Sequence, residues 1–140
     1  MRRSMANIIS SIMIMMTANA CAPRKDDFEA VFRERLVRHY AEDDKAARAM
    51  NGKPLRLDIT FVDLDVDGTP EAIVRLDHLA FCGSRGCAID IVGFRPNSVV
   101  TLAGFITHEV SPCAIVPAET LCVSVDESDW TLTNGWLRRK

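Results

Sequence analysis

The sequence predicts an α+β fold, with one N-terminal helix packed on an antiparallel sheet of about five to seven strands. Three observations predict it. Apolar side chains recur at helical spacing between residues 26 and 50, and the period drops to two from residue 55. Near the C-terminus, Asn134-Gly135 stands between two short runs that each carry a tryptophan, the strongest short hairpin signal a sequence offers.

Asp26 and Asp27 are placed to cap the helix, and Phe28, Val31, Phe32, Leu36, Val37 and Tyr40 fall three and four apart along it. Asn51-Gly52-Lys53-Pro54 ends it, with glycine after the last turn and proline beyond. Leu55, Leu57, Ile59 and Phe61 then alternate with Arg56, Asp58 and Thr60, the pattern of a strand with one buried face. After an acidic interruption, Ala72–Leu76 resumes as a second strand. Cys87–Phe94 and Val99–Ile106 read as the third and fourth, joined by a turn at Arg95-Pro96-Asn97. Leu121–Val125 reads as a fifth, and Trp130–Leu132 with Trp136–Leu137 as the arms of the final hairpin. No internal repeat or second-domain linker is visible, so residues 21–140 are expected to form a single α+β domain.

Residues 1–20 read as a secretory signal peptide: Arg2 and Arg3, a short apolar run over residues 8–16, then Ala18-Asn19-Ala20. The run is too short for a stable membrane anchor, so no span is expected once the leader is removed. Cys21 directly follows the small-residue site, and a lipoprotein alternative makes it the acylated first mature residue. The expected location is periplasmic or secreted, with the outer membrane as the lipoprotein alternative. With Cys21 set aside, Cys82, Cys87, Cys113 and Cys122 remain, and an even count in an exported chain favours disulfides. Of the three connectivities, Cys82–Cys87 with Cys113–Cys122 is expected because each pair closes a short loop. Zinc binding and redox work both lack the usual cysteine spacing. Removing Arg2 and Arg3 from the 17 basic residues, against 19 acidic ones, leaves an acidic chain with no electrostatic case for nucleic acid.

The functional signal is Asp63-Leu64-Asp65-Val66-Asp67-Gly68-Thr69-Pro70-Glu71. Alternating carboxylates on a tight loop supply the oxygen ligands a hard cation needs, about six to eight for Ca²⁺. An EF-hand fits poorly: its closing glutamate position is Val74, and the flanks alternate as strands. The stretch instead resembles the strand-loop-strand calcium sites of FG-GAP-type repeats, with pattern D-x-D-x-D-G-x-x-[DE]. The resemblance implies Ca²⁺ held by side-chain oxygens of Asp63, Asp65 and Asp67, the backbone carbonyl of Thr69, and Glu71. Val66 stands where such loops commonly carry glycine or asparagine, and the tandem copies that build a propeller are lacking. Asp65-Val66-Asp67-Gly68-Thr69 also resembles the D-x-D-G-T motif of haloacid-dehalogenase-type phosphatases, which implies a nucleophilic Asp65, an acid–base Asp67 and Mg²⁺. That chemistry wants an apolar parallel strand followed by a helix, whereas Asp63 and Pro70 flank the motif here. A bare solvated acidic turn is the remaining alternative, opposed by the mutual repulsion of four carboxylates.

An acidic hairpin, the Cys82–Cys87 segment, a strand and a terminal Trp/Asn-Gly hairpin together resemble an arrangement in short exported bacterial proteins. The resemblance implies location and architecture and no particular activity. His39, His78 and His108 are scattered, no nucleophile-elbow sequence occurs, and each histidine is read as surface or packing. Trp130 and Trp136 are read as packing across their strand pair, and Arg33, Arg35, Arg38, Lys45 and Arg48 as a solvated helix face. No catalytic residue is assigned. The expectation is an exported, non-enzymatic module for an envelope or cell-surface partner, carrying one structural Ca²⁺. The rival is a small metal-dependent hydrolase.

Overall fold

The computed structural model describes residues 25–115, 120–133 and 136–139. The expected leader, Cys21 and the turn expected at Asn134-Gly135 lie outside the described residues. The order is α1 (Lys25–His39), α2 (Ala41–Asn51), β1 (Arg56–Val62), β2 (Glu71–Asp77), β3 (Cys82–Gly83), β4 (Gly86–Arg95), β5 (Ser98–Thr107), β6 (Val110–Ile115), β7 (Thr120–Val125), β8 (Ser128–Thr133) and β9 (Trp136–Arg139). All strand pairs are antiparallel. The α+β class stands. Among the described residues the detail differs: two helices replace one, nine strands replace five to seven, and two sheets replace a single sheet.

The helix expected over 26–50 is interrupted at Tyr40, whose backbone sits at φ −93°, ψ 17°. Hydrogen bonds continue through the interruption, from the Tyr40 N–H to Leu36 O (3.0 Å) and from the Asp44 N–H to Tyr40 O (2.9 Å). Tyr40 is buried, and its hydroxyl donates to Asp90 Oδ2 on β4 at 2.9 Å, so the kink coincides with a tether to the sheet. Asp26 and Asp27 lie inside α1 rather than ahead of it. The stop signal behaves as expected: Gly52 takes the left-handed conformation at φ 76°, and its N–H closes onto Arg48 O. Of the apolar stripe, Phe32, Leu36 and Tyr40 are buried, while Val31 and Val37 face solvent.

Three layers follow. One sheet has the order β1-β2-β4-β3, with β5 also paired to β4, and the other has the order β6-β7-β8-β9. The helices cover one face of the first sheet, where Leu36 and Tyr40 pack with Ala72, Val74, Leu76 and Val92. The second sheet covers the opposite face, where Ile73, Ile89 and Ile91 meet Val123, Val125 and Leu132. Central strands β2 and β4 are therefore buried on both faces, which is why Ala72-Ile73-Val74 and Ile91-Val92 show no polar alternation. Leu102 of β5 is the extra residue of a bulge, since Val92 pairs with Thr101 and Ile91 with Ala103.

Strand β6 went unforeseen because Pro112 interrupts its pattern. A proline is tolerated there because β6 is an edge strand. The disulfides are Cys82–Cys87, bridging β3 and β4, and Cys113–Cys122, bridging β6 and β7. They are consistent with an oxidising location outside the cytoplasm. Gly83 and Gly86 flank the turn between the first pair. Only Gly86 is needed, with φ +106° and a would-be Cβ 2.1 Å from the Thr107 carbonyl, whereas Gly83 has open space. Among the described residues no helix is long and apolar enough to cross a membrane.

Candidate functional site

Residues 63–70 connect β1 to β2, and the connection closes where Val62 pairs with Glu71. Leu64 pins it: the side chain is fully buried between the sheets, and its N–H donates to Glu71 Oε2 at 2.7 Å. Beyond Leu64, the carboxylates hold the backbone. Asp63 accepts from the Asp67 N–H at 3.1 Å and, through its other oxygen, from the Gly68 N–H at 2.9 Å. Asp65 Oδ1 accepts from the Asp67 N–H at 3.2 Å, and Asp67 Oδ1 accepts from the Thr69 N–H at 2.7 Å. These are local side-chain-to-backbone turns of the kind short acidic residues favour.

Asp63, Asp65 and Glu71 each bring a carboxylate oxygen within 4.8 Å of the others. Asp67 is not part of that trio; its Oδ1 accepts from the Thr69 N–H. Both Asp67 and Thr69 still line the adjoining pocket, with Asp65 and Glu71. Of the five residues expected to hold an ion, Asp63, Asp65 and Glu71 bring carboxylate oxygens together, and Asp67 and Thr69 lie beside them in the pocket lining.

Glu71 is only 6% exposed. Burial pushes its carboxyl up to about 7; the Leu64 amide opposes this, and the charges of Asp65, Asp67 and Asp63 add to it. Burial first, and then the Asp67 charge, also raises Asp65. The site gathers negative charge into partly desolvated space, an arrangement a cation would relieve.

Two residues of the loop take the left-handed backbone, Gly68 at φ 88° and Val66 at φ 60°. Glycine does so freely, while a β-branched side chain is strained there. Glycine or asparagine would suit this backbone position better than valine.

The pocket, of about 320 Å³, opens beside the loop at one end of the sheet sandwich. Gly93, Phe94 and Arg95 from β4, Val100 and Leu102 from β5 and Leu132 from β8 complete it. No sequence signal marked these residues, because pairings far apart in the chain bring them to the loop.

The other candidates resolve locally. His78 is buried and saturated, with Nε2 2.9 Å from Asn51 Oδ1 and Nδ1 accepting from the Ala80 N–H at 3.0 Å. That ties the end of α2 to the segment after β2, a packing role. His39 and His108 are exposed. The tryptophans do not pack across their hairpin: Trp130 meets Phe105 edge-to-face at 5.5 Å, and Trp136 is exposed. The reason is register, since Trp130 pairs with Arg139 and Trp136 with Thr133. Arg38, Lys45 and Arg48 form exposed ion pairs with Glu34, Glu42 and Asp44, worth little individually. Arg35 departs from the solvated face, donating to Arg95 O and, at 2.7 Å, to Ser98 O, and so holding the β4–β5 turn.

Comparison with protein-family models, curated proteins and solved structures found no match for this chain.

Proposed function

We propose that this chain is an exported, non-enzymatic binding module for an envelope or cell-surface partner, in which one Ca²⁺ bound by the Asp63–Glu71 loop clamps the β1–β2 hairpin. The observation that carries the reading is the trio Asp63, Asp65 and Glu71, with oxygens within 4.8 Å of one another. A divalent cation there would offset the repulsion and desolvation that lift Glu71. The trio provides part of the six to eight oxygens Ca²⁺ takes, and Asp67, the Thr69 carbonyl and water are the nearby sources of the rest. The role is structural: an ion binding only the folded loop stabilises that fold by mass action. A stiffened hairpin then loses less freedom when a partner docks. Export is supported by the two disulfides and by the leader-like composition of residues 1–20, with acylation of Cys21 the alternative mode of retention.

The phosphatase-type reading has less support. β1 and β2 pair antiparallel directly across the loop, where that chemistry uses a strand followed by a helix. Turnover of a generic phosphate ester with Mg²⁺, abolished in Asp65→Asn, would replace the binding-module reading with it. Binding of the ion is tested by isothermal titration of the chelator-treated protein with Ca²⁺. Single-site binding lost in Asp65→Asn and Glu71→Gln is expected, and heat-silent titration would end the calcium assignment.

A further inference from the structure

The two disulfides sit in opposite electrostatic surroundings. Cys87 on β4 is 6% exposed, and the Arg75 guanidinium reaches across from β2 to place Nη2 3.5 Å from its sulfur. Among the described residues Arg75 forms no ion pair. Asp58, its cross-strand neighbour, shares a small pocket with it, as do Glu109 and His108, and neither carboxylate closes on the guanidinium. Cys113 has a carboxylate for its neighbour instead, with Asp129 Oδ1 3.8 Å from its sulfur. Its bridge partner Cys122 is 1% exposed.

The two sulfur-bearing residues of the first bridge also differ from each other. Cys82 is half-buried and within reach of solvent, whereas Cys87 is closed in. Cys82 Sγ lies 3.5 Å from Leu76 O, an acceptor ready for a thiol. The hairpin does not hang on the bridge alone, since the Ala88 N–H donates to Phe81 O at 2.8 Å and Gly83 pairs with Gly86. Its backbone therefore keeps its course when the S–S bond opens, and each freed sulfur finds a partner in place.

We infer that Cys82–Cys87 is a thiol-exchange site, at which an external thiol attacks Cys82 and Cys87 departs beside Arg75. The attacking thiolate forms an S–S bond to Cys82 Sγ as the Cys82–Cys87 bond breaks, and Cys87 leaves with the electron pair as a thiolate. A second thiolate then attacks the external sulfur of the mixed disulfide. The two external thiols leave as their own disulfide, and Cys82 takes a proton from solvent and donates it to Leu76 O. Exchange quickens when the leaving sulfur is the better-stabilised thiolate, and an adjacent guanidinium supplies that stabilisation. No C-x-x-C spacing is needed, because the cation comes from a neighbouring strand. At the second bridge the Asp129 charge opposes an approaching thiolate. The site is independent of the calcium reading.

The probe is 2-mercaptoethanol, a neutral monothiol, added to the oxidised full chain, with samples quenched by alkylation and mapped by peptide mass spectrometry. Cys82–Cys87 should open roughly tenfold or more faster than Cys113–Cys122 in the same sample, at a rate proportional to thiol. The trapped mixed disulfide should sit on Cys82. Arg75→Gln should slow the opening roughly fivefold or more, and Arg75→Lys should keep most of the rate. Loosening of the fold would speed opening, so slowing cannot come from damage. Opening of Cys113–Cys122 first or at the same rate overturns the inference, as does a mixed disulfide on Cys87. So does an Arg75→Gln variant of unchanged circular dichroism that opens as fast as wild type. A rate that saturates with thiol also overturns it, because local unfolding rather than attack on the folded hairpin would then set the pace.

Discussion

Two hairpins of one sheet, β1–β2 and β3–β4, are closed in opposite ways. The β3–β4 hairpin turns through Ser84-Arg85 and is fastened covalently, with Cys82 paired to Cys87 and Gly83 to Gly86. Its one unusual backbone position is filled by the residue that suits it, Gly86. The β1–β2 hairpin runs through residues 63–70, gathers carboxylates, buries Glu71 and places Val66 in a left-handed conformation. One hairpin is complete from its own atoms. The other carries charge and strain that make sense if a cation finishes it. A disulfide constrains at any calcium level, whereas a cation site constrains only when filled, so the two hairpins should respond to different reagents.

The largest effect should fall on the self-sufficient hairpin. In Gly86→Ala the new Cβ would meet the Thr107 carbonyl at 2.1 Å with φ at +106°. We expect a loss of about 4 kcal/mol or more in urea unfolding, or no folded protein at all. A near-neutral result would mean that β4 and β5 are not so closely apposed.

The second prediction concerns pH in chelator-treated protein. The folded carboxyl of Glu71 lies near 7, raised above the ordinary 4.5. Its contribution to stability is therefore fully present below about pH 4.5 and is lost as pH rises through 7, a swing of about 3 kcal/mol. Urea midpoints between pH 5 and 8 should fall as pH rises, and Glu71→Gln should flatten that slope. A slope unchanged by the substitution would assign the titration to another group.

Replacing both Cys82 and Cys87 with serine should cost about 2 kcal/mol, and removing the longer Cys113–Cys122 loop closure slightly more. Neither loss should depend on calcium, and a calcium-dependent cost would erase the distinction between the hairpins. The smallest expected effect is a gain. Val66→Asn should stabilise by about 1 kcal/mol, because asparagine tolerates the left-handed backbone and the valine side chain, 59% exposed, gives up little packing. Destabilisation would show that Val66 is not strained.

The sequence signals sort by range. Alternation in Leu55–Phe61 foretold β1 and its half-buried face, and short-range cysteine spacing foretold both disulfide partners, because those patterns are written in neighbouring residues. Pro112 concealed β6, since a proline is compatible with a strand only once the strand is known to be an edge. The second sheet was missed: a single sheet was expected, and the apolar runs of β2 and β4 were read without the second covering layer that buries their other face. At the loop, the order of carboxylates was plain, but not which three of them would converge or that Asp67 Oδ1 would accept from the Thr69 N–H. Arg95 and Leu132, which reach the pocket through β4 and β8, had no local signature.

The calcium-clamped hairpin is tested most directly by the thermal midpoint of the chelator-treated protein against added Ca²⁺, in wild type and in Asp65→Asn. The wild-type midpoint should climb steadily, approaching about 2.7 kcal/mol of added stability at a hundred times the dissociation constant. The variant should stay flat. A wild-type midpoint that does not move at millimolar Ca²⁺ would contradict the account.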